Sequence, residues 1–246
     1  MNLENCYVQW NAQRHQAVPS RARLEEAAKQ LEEDWAHCMN WLDVALRDEQ
    51  RKYFVAALYN EVLLLPEALY QSMIRAAVYE LNPLLPTTFV KAAVNAFGPE
   101  RVSQTLMEYL EKGTDFEKAG AVNALHWTGD QGSKSESGRQ RPVSPEMMKL
   151  LDHRRLIYLQ TFVKNPDIDL RRAIITHADL EELGASIALD DLIQKVIKIC
   201  RASNDEYIRN RVEVQLGRAR SVYPLPARSK PDSDTKKTGW WKQLFK

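Results

Sequence analysis

Two histidines one helical turn apart would announce a zinc hydrolase, but the five histidines here, His15, His37, His126, His153 and His177, include no such pair. The chain also lacks the glycine-rich loop that cradles nucleotide phosphates and the serine elbow of the hydrolases. Its three cysteines, Cys6, Cys38 and Cys200, are odd in number, far apart and without CxxC spacing. They offer neither a readable zinc site nor a disulfide framework, which fits a reducing compartment. His37 and Cys38 are adjacent, yet neighbours on a helix point about 100° apart. Cys38 falls on an apolar stripe, where a thiol serves as a small hydrophobe rather than a nucleophile. The sequence assigns no catalytic residue, no metal ligand and no cofactor.

The remaining candidates bind rather than react. His153-Arg154-Arg155 lies downstream of Arg139 and Arg141 and upstream of Arg171-Arg172. Arg154, Arg155, Arg171 and Arg172 could converge on a concave face and hold an anion such as phosphate. The competing reading has each of them solvating a helix and pairing with a nearby carboxylate. His126-Trp127 closes a helix, either as a ligand-facing aromatic patch or as a polar ring at a helix C-terminus beside a seam-filling Trp. The end of the chain is different in kind. Trp240, Trp241, Leu244 and Phe245 hang beyond a polar stretch where no core needs them, with Lys242 and Lys246 beside them. Tryptophan suits protein hot spots and membrane interfaces because it joins a large rigid apolar body to one polar N–H. Trp240, Trp241, Lys242, Leu244 and Phe245 are therefore expected to engage a partner or an anionic membrane surface, the alternative being that they pack back on the chain's own helices.

Charge supports this division. The net charge of +1 hides eight basic residues against Asp232 and Asp234 between Arg218 and Lys246. The rest of the chain holds 26 basic and 31 acidic residues. An acidic body is a poor match for a phosphate backbone, so nucleic acid is not the expected partner. A basic tail seeks an anionic surface.

The elements that must position these residues are helices. Leu31, Trp35, Cys38, Met39, Leu42, Ala45 and Leu46 recur with helical period, as do Tyr70, Met73, Ile74, Ala77, Val78 and Leu81, and again Leu189, Leu192, Ile193, Val196 and Cys200. No stretch alternates with period two between turn signals. Thr114 with Glu117, and Ser203 with Glu206, have capping-box spacing. Ser144-Pro145 and Asn165-Pro166 place a capping side chain before a first-turn proline, and Pro66, Pro86 and Pro99 read as further first-turn prolines. Gly113, Gly129 and Gly217 fall where left-handed C-terminal caps are expected. Helices are thus expected over 20–47, 49–64, 66–81, 86–97, 99–112, 115–128, 145–164, 167–178, 187–201 and 205–216, with short connections that make neighbours antiparallel. Composition divides the chain into an N-terminal extension (1–19), a helical sub-stack (20–128), an expected flexible loop (129–144), a second sub-stack (145–217), an expected disordered basic linker (218–239) and an amphipathic Trp-rich motif (240–246). At 246 residues with 44% hydrophobic and 27% charged content, the chain can bury a real core. It has no signal-peptide pattern at its start and no apolar run of about 18 residues, so a cytoplasmic location is expected, with a peripheral membrane contact through the tail.

Several helix starts resemble one another. Asp167 precedes Arg171 by four residues, Asp205 precedes Arg209 and Asp48 precedes Lys52, while Asp115 to Lys118 is one shorter. With the opening Asn165-Pro166-Asp167, this pattern resembles the HEAT repeat family over roughly Arg47 to Gly217. The resemblance implies an all-α superhelix of stacked antiparallel helix pairs and a protein-binding scaffold or adaptor. HEAT-fold enzymes, the alkylpurine DNA glycosylases and the phycobilin lyases, are the rival it brings, without a local signature here. Physically, the Asp favours a helix N-terminus and the Arg reaches a neighbour one turn on.

Overall fold

The computed structural model describes residues 2–13, 20–129, 144–180 and 187–218. Among them are twelve α-helices and no strand. These are α1 (Leu3–Gln13), α2 (Ser20–Glu33), α3 (Trp35–Ala45), α4 (Arg51–Glu61), α5 (Glu67–Val78), α6 (Pro86–Phe97), α7 (Pro99–Lys112), α8 (Asp115–Gly129), α9 (Pro145–Lys164), α10 (Ile168–His177), α11 (Ile187–Arg201) and α12 (Glu206–Gln215). None is long and apolar enough to cross a membrane. The loop expected at 129–144 lies almost wholly outside the described residues, as do the linker and the Trp-rich motif beyond Arg218.

The helices lie in two rows. From α2 to α12 each even-numbered helix touches the next even one, and from α3 to α11 each odd-numbered helix touches the next odd one. Cross-contacts α3–α4, α5–α6, α7–α8, α9–α10 and α11–α12 tie the rows together. Short links impose this order: Gly98 alone separates α6 from α7, and Gly113-Thr114 separates α7 from α8. α8 is the most enclosed, with every residue from Ala119 to Leu125 buried. Its small residues Ala119, Gly120, Ala121 and Ala124 let α5, α6, α7 and α10 approach at once. One hydrophobic cluster runs from Leu3 to Val212, through both expected sub-stacks.

The N-terminal residues do more than extend the stack. In α1, Tyr7 and Trp10 set their rings edge-on to Phe54 of α4 at 6.0 and 5.6 Å, and Trp41 does the same at 6.0 Å. Glu4 accepts from Arg51 Nη2 at 2.8 Å and from Trp41 Nε1 at 3.1 Å, fixing α1 in place.

Local signals hold in part. The Thr114–Glu117 box forms, with Thr114 N donating to Glu117 Oε2 at 2.8 Å. Ser144 accepts from Met147 N at 3.1 Å ahead of Pro145. The helix expected over 20–47 is instead two. Asp34 leaves helical geometry and accepts from His37 N at 3.3 Å, which starts α3 and turns Trp35 out to 46% exposure. The expected Ser203–Glu206 box is replaced by Asp205, which caps α12 through Ile208 N at 2.9 Å. Likewise Asp167, not Asn165, caps α10, so Pro166 precedes that helix. Pro66 stands at the N-cap of α5 rather than inside its first turn. Of the three glycines expected to be left-handed only Gly217 is (φ 67°), while Gly98, joining α6 to α7, has φ 81°.

Candidate functional site

Two clefts gather most of the chemistry-bearing side chains. The first, of about 480 Å³, lies where the N-terminus of α4, the end of α5 and the start of α8 meet, and Lys52, Tyr53, Tyr79, Glu80 and Phe116 wall it. Glu80 is buried, yet it accepts from Lys52 Nζ at 2.6 Å, from the Tyr53 hydroxyl at 2.7 Å and from Asn82 N at 2.9 Å. Lys52 also lies 5.2 Å from the Tyr53 ring centroid and 5.7 Å from that of Phe89. Glu117, equally buried, accepts from Thr114 and from the Tyr79 hydroxyl at 2.7 Å. Burial, with Glu117 next, pushes the Tyr79 hydroxyl well above its ordinary range, so it stays a donor. Each carboxylate thus holds a local donor and at least one from another helix, Glu80 from α4 and Glu117 from the end of α5. They serve as staples between helices, since a general acid or base needs a proton that it can exchange with a substrate.

The second cleft, of about 260 Å³, lies between α9 and the C-terminal end of α10, and it holds Arg154, Arg155, Tyr158 and His177. Arg154 Nη1 donates to the Leu125 carbonyl at 3.1 Å, capping α8, and its guanidinium lies 5.9 Å from the Tyr158 ring. Arg155 Nε donates to the Asp179 carbonyl at 3.2 Å, and its Nη1 lies 3.9 Å from the Asp179 carboxylate. The Tyr158 hydroxyl donates to the Val122 carbonyl at 3.4 Å, joining α9 to α8.

Of the four arginines singled out in the sequence, the structure brings two to this cleft and uses the other two elsewhere. Arg171 Nε donates to the Phe162 carbonyl at 3.3 Å while its guanidinium covers the Phe162 ring at 5.3 Å. Arg172 spans Asp169 at 3.2 Å and Asp205 at 2.6 Å. Both lock α10 to its neighbours. His153 pairs with Glu111 at 2.9 Å on the surface. His37 is exposed and Cys38 buried, and burial raises the Cys38 thiol pKa, as for a structural cysteine. Cys200 is pushed by burial to about 12. No group of three or more His, Cys, Asp or Glu that could hold a metal ion occurs among the described residues. Trp240, Trp241, Lys242, Leu244 and Phe245 lie outside them.

Sequence reasoning missed His177, a lone histidine with no spacing to mark it. The structure stacks its ring on His126 of α8, centroids 4.4 Å apart and planes 27° apart. It also missed Arg211 of α12, whose Nη2 donates to the Thr176 carbonyl at 3.2 Å beside His177. No family model, curated protein or solved structure matches this chain.

Proposed function

We propose that the chain is a cytoplasmic helical-repeat scaffold of the HEAT-like kind, which binds another protein along its stacked helices. Its basic, tryptophan-rich end is the second point of attachment, to a further partner or to an anionic membrane surface. The observation that supports this most is the packing of each helix on the next in its own row. Such a stack grows in one direction and leaves a continuous flank of helix faces for a partner to run along. Two further observations agree. The buried carboxylates of the larger cleft are committed to joining helices, and α9 presents Met148 and Leu156 outward, two turns apart. A residue pattern shared by Asp48, Asp167 and Asp205 at the starts of α4, α10 and α12 falls on one row, as a repeat requires.

The test is affinity capture with the full chain, followed by cross-linking of the retained protein. Cross-links running along successive helices of one row support the reading, and release of bases from alkylated DNA by the purified chain overturns it. For the tail, Trp240→Ala with Trp241→Ala should abolish binding to vesicles containing phosphatidylserine, or to the tail-dependent partner, at unchanged thermal midpoint. A midpoint lower by several degrees shows instead that the tail packs on its own body.

A further inference from the structure

The cleft between α9 and α10 has an electrostatic peculiarity. Two cations, Arg154 in the cleft and Arg211 behind it, meet no carboxylate among the described residues. Arg154, half-buried, has only the Leu125 carbonyl as hydrogen-bond acceptor. Arg211 of α12, behind the cleft and also half-buried, has the Thr176 carbonyl, and its Nε is buried with no acceptor. A carbonyl oxygen satisfies a donor but leaves the charge uncompensated.

His177 sits among these cations. Its Nε2 is buried and has no hydrogen-bond partner. Burial, then His126, Arg211 and Arg154, depress its pKa to about 3. In a neutral imidazole Nε2 is either a donor or an acceptor, and a buried polar atom of either kind is rarely left unpaired without a reason. Among the described residues, two carboxylates line the cleft. Asp179 pairs with Arg155, and Asp152 stands exposed at the rim. Among the described residues that line the cleft, Arg154 and Arg155 stand against Asp152 and Asp179, and Arg211 behind it adds a further positive charge.

We propose that this cleft binds a small oxyanion, a carboxylate or a phosphate, which accepts from the unspent N–H groups of Arg154 beside the ring of His177. Arg155 lines the same cleft, and Arg211 supplies charge from behind. Arg171 and Arg172 take no part, because α10 directs them to Phe162, Asp169 and Asp205. A guanidinium is the natural donor for either group, since its planar N–H fork matches two oxygens. The proposal is independent of the scaffold reading: a free metabolite or an acidic group on a partner presents the same oxygens.

The experiment uses the full chain with ¹⁵N-labelled histidine at pH 7. Sodium phosphate and sodium acetate are titrated in separate arms, with sodium chloride holding ionic strength constant, and the His177 ring nitrogens are followed. The expected result is a saturable shift of the His177 Nε2 resonance in at least one arm. The arm that saturates identifies the oxyanion. Arg154→Gln should raise the midpoint about tenfold, the loss of roughly one charge-assisted hydrogen bond. Arg154→Lys should recover part of it, and Arg201→Gln, whose side chain pairs with Glu213 on the surface, should change nothing. His177 resonances that stay still in both arms, or that drift linearly without saturating, overturn the proposal. So does an unchanged midpoint in Arg154→Gln. Should Arg154→Gln fail to fold, the wild-type arms measured against chloride decide the matter alone.

Discussion

Arg172 of α10 donates its Nη2 to Asp205 at 2.6 Å, and Asp205 is the residue whose other oxygen caps α12 through Ile208 N. One carboxylate therefore both starts a helix and binds that helix to the previous one in its row. Burial by itself pushes the Asp205 carboxyl up, but the Arg172 hydrogen bond and the Ile208 amide outweigh it and hold the pKa below its ordinary value. A depressed carboxylate contributes stability that is fully present above the ordinary range and is lost as the pH falls through about 4 and below. Asp205→Ala should cost roughly 2 kcal/mol at pH 7 in urea unfolding, from the lost cap and the stranded guanidinium. Arg172→Ala and Asp205→Ala together should fall short of the sum of the single losses by at least ~0.5 kcal/mol, because the pair is shared. Additive losses would show that the two side chains act separately.

Lys52 and Glu80 make the more buried pair, at 13% and 5% side-chain exposure. Lys52→Met should destabilise by about 3 kcal/mol, because it leaves Glu80 charged and enclosed. Adding Glu80→Gln should restore part of that loss, since the amide still accepts from Tyr53 and is neutral. The check is the order of chemical midpoints: wild type highest, the double variant next, Lys52→Met lowest.

Gly113 owes its identity to space rather than to backbone angles, for its φ of −71° suits any residue. A Cβ there would lie 2.5 Å from the Tyr109 carbonyl oxygen and 2.9 Å from Glu117 Cβ. The obstructing atoms are backbone and the root of a fixed side chain, so they cannot swing away. Gly113→Ala should cost roughly 1–3 kcal/mol by forcing α7 and α8 apart. Gly129→Ala, which meets nothing within 4 Å, is the matched control and should be nearly silent.

His177 gives a pH signature of opposite residue type but the same sign. Its folded pKa of about 3 lies below the value of an exposed histidine, so the unfolded chain takes up a proton that the folded chain refuses. Stability is complete above about pH 7 and falls as the pH drops through 6.5 toward 3, by up to ~1.4 kcal/mol per unit. His177→Phe should flatten the part of this slope between pH 6.5 and 5, where carboxylates do not yet titrate. Thermal midpoints of both proteins across that interval provide the measurement, and parallel curves would contradict it.

Helix positions were legible in the residues because helical period, caps and prolines are short-range signals. The expected spans 86–97, 99–112, 145–164 and 187–201 coincide with α6, α7, α9 and α11. The break at Asp34 was not, since an apolar stripe continues through it and only backbone geometry shows the second helix start. Caps erred by one or two residues where several carboxylates and hydroxyls competed, as at Ser203 and Asp205, and the neighbour Arg172 favours Asp205.

The pattern of residue types determined by itself that this chain is helical, that Cys38 and Cys200 are core residues and that Thr114 with Glu117 starts a helix. Each of these follows from forces acting within a few residues. What the tertiary structure alone decided is which distant groups meet. Glu117 also receives the Tyr79 hydroxyl from 38 residues away, and Arg154 and Arg155 part company with Arg171 and Arg172. His177 of α10 comes to lie on His126 of α8. Sequence spacing carries the angle of a side chain about its own helix, but not the rotation and offset with which helices pack on one another. Those are set by the sum of many weak contacts along whole faces, so a cleft built by three helices leaves no mark in any one of them.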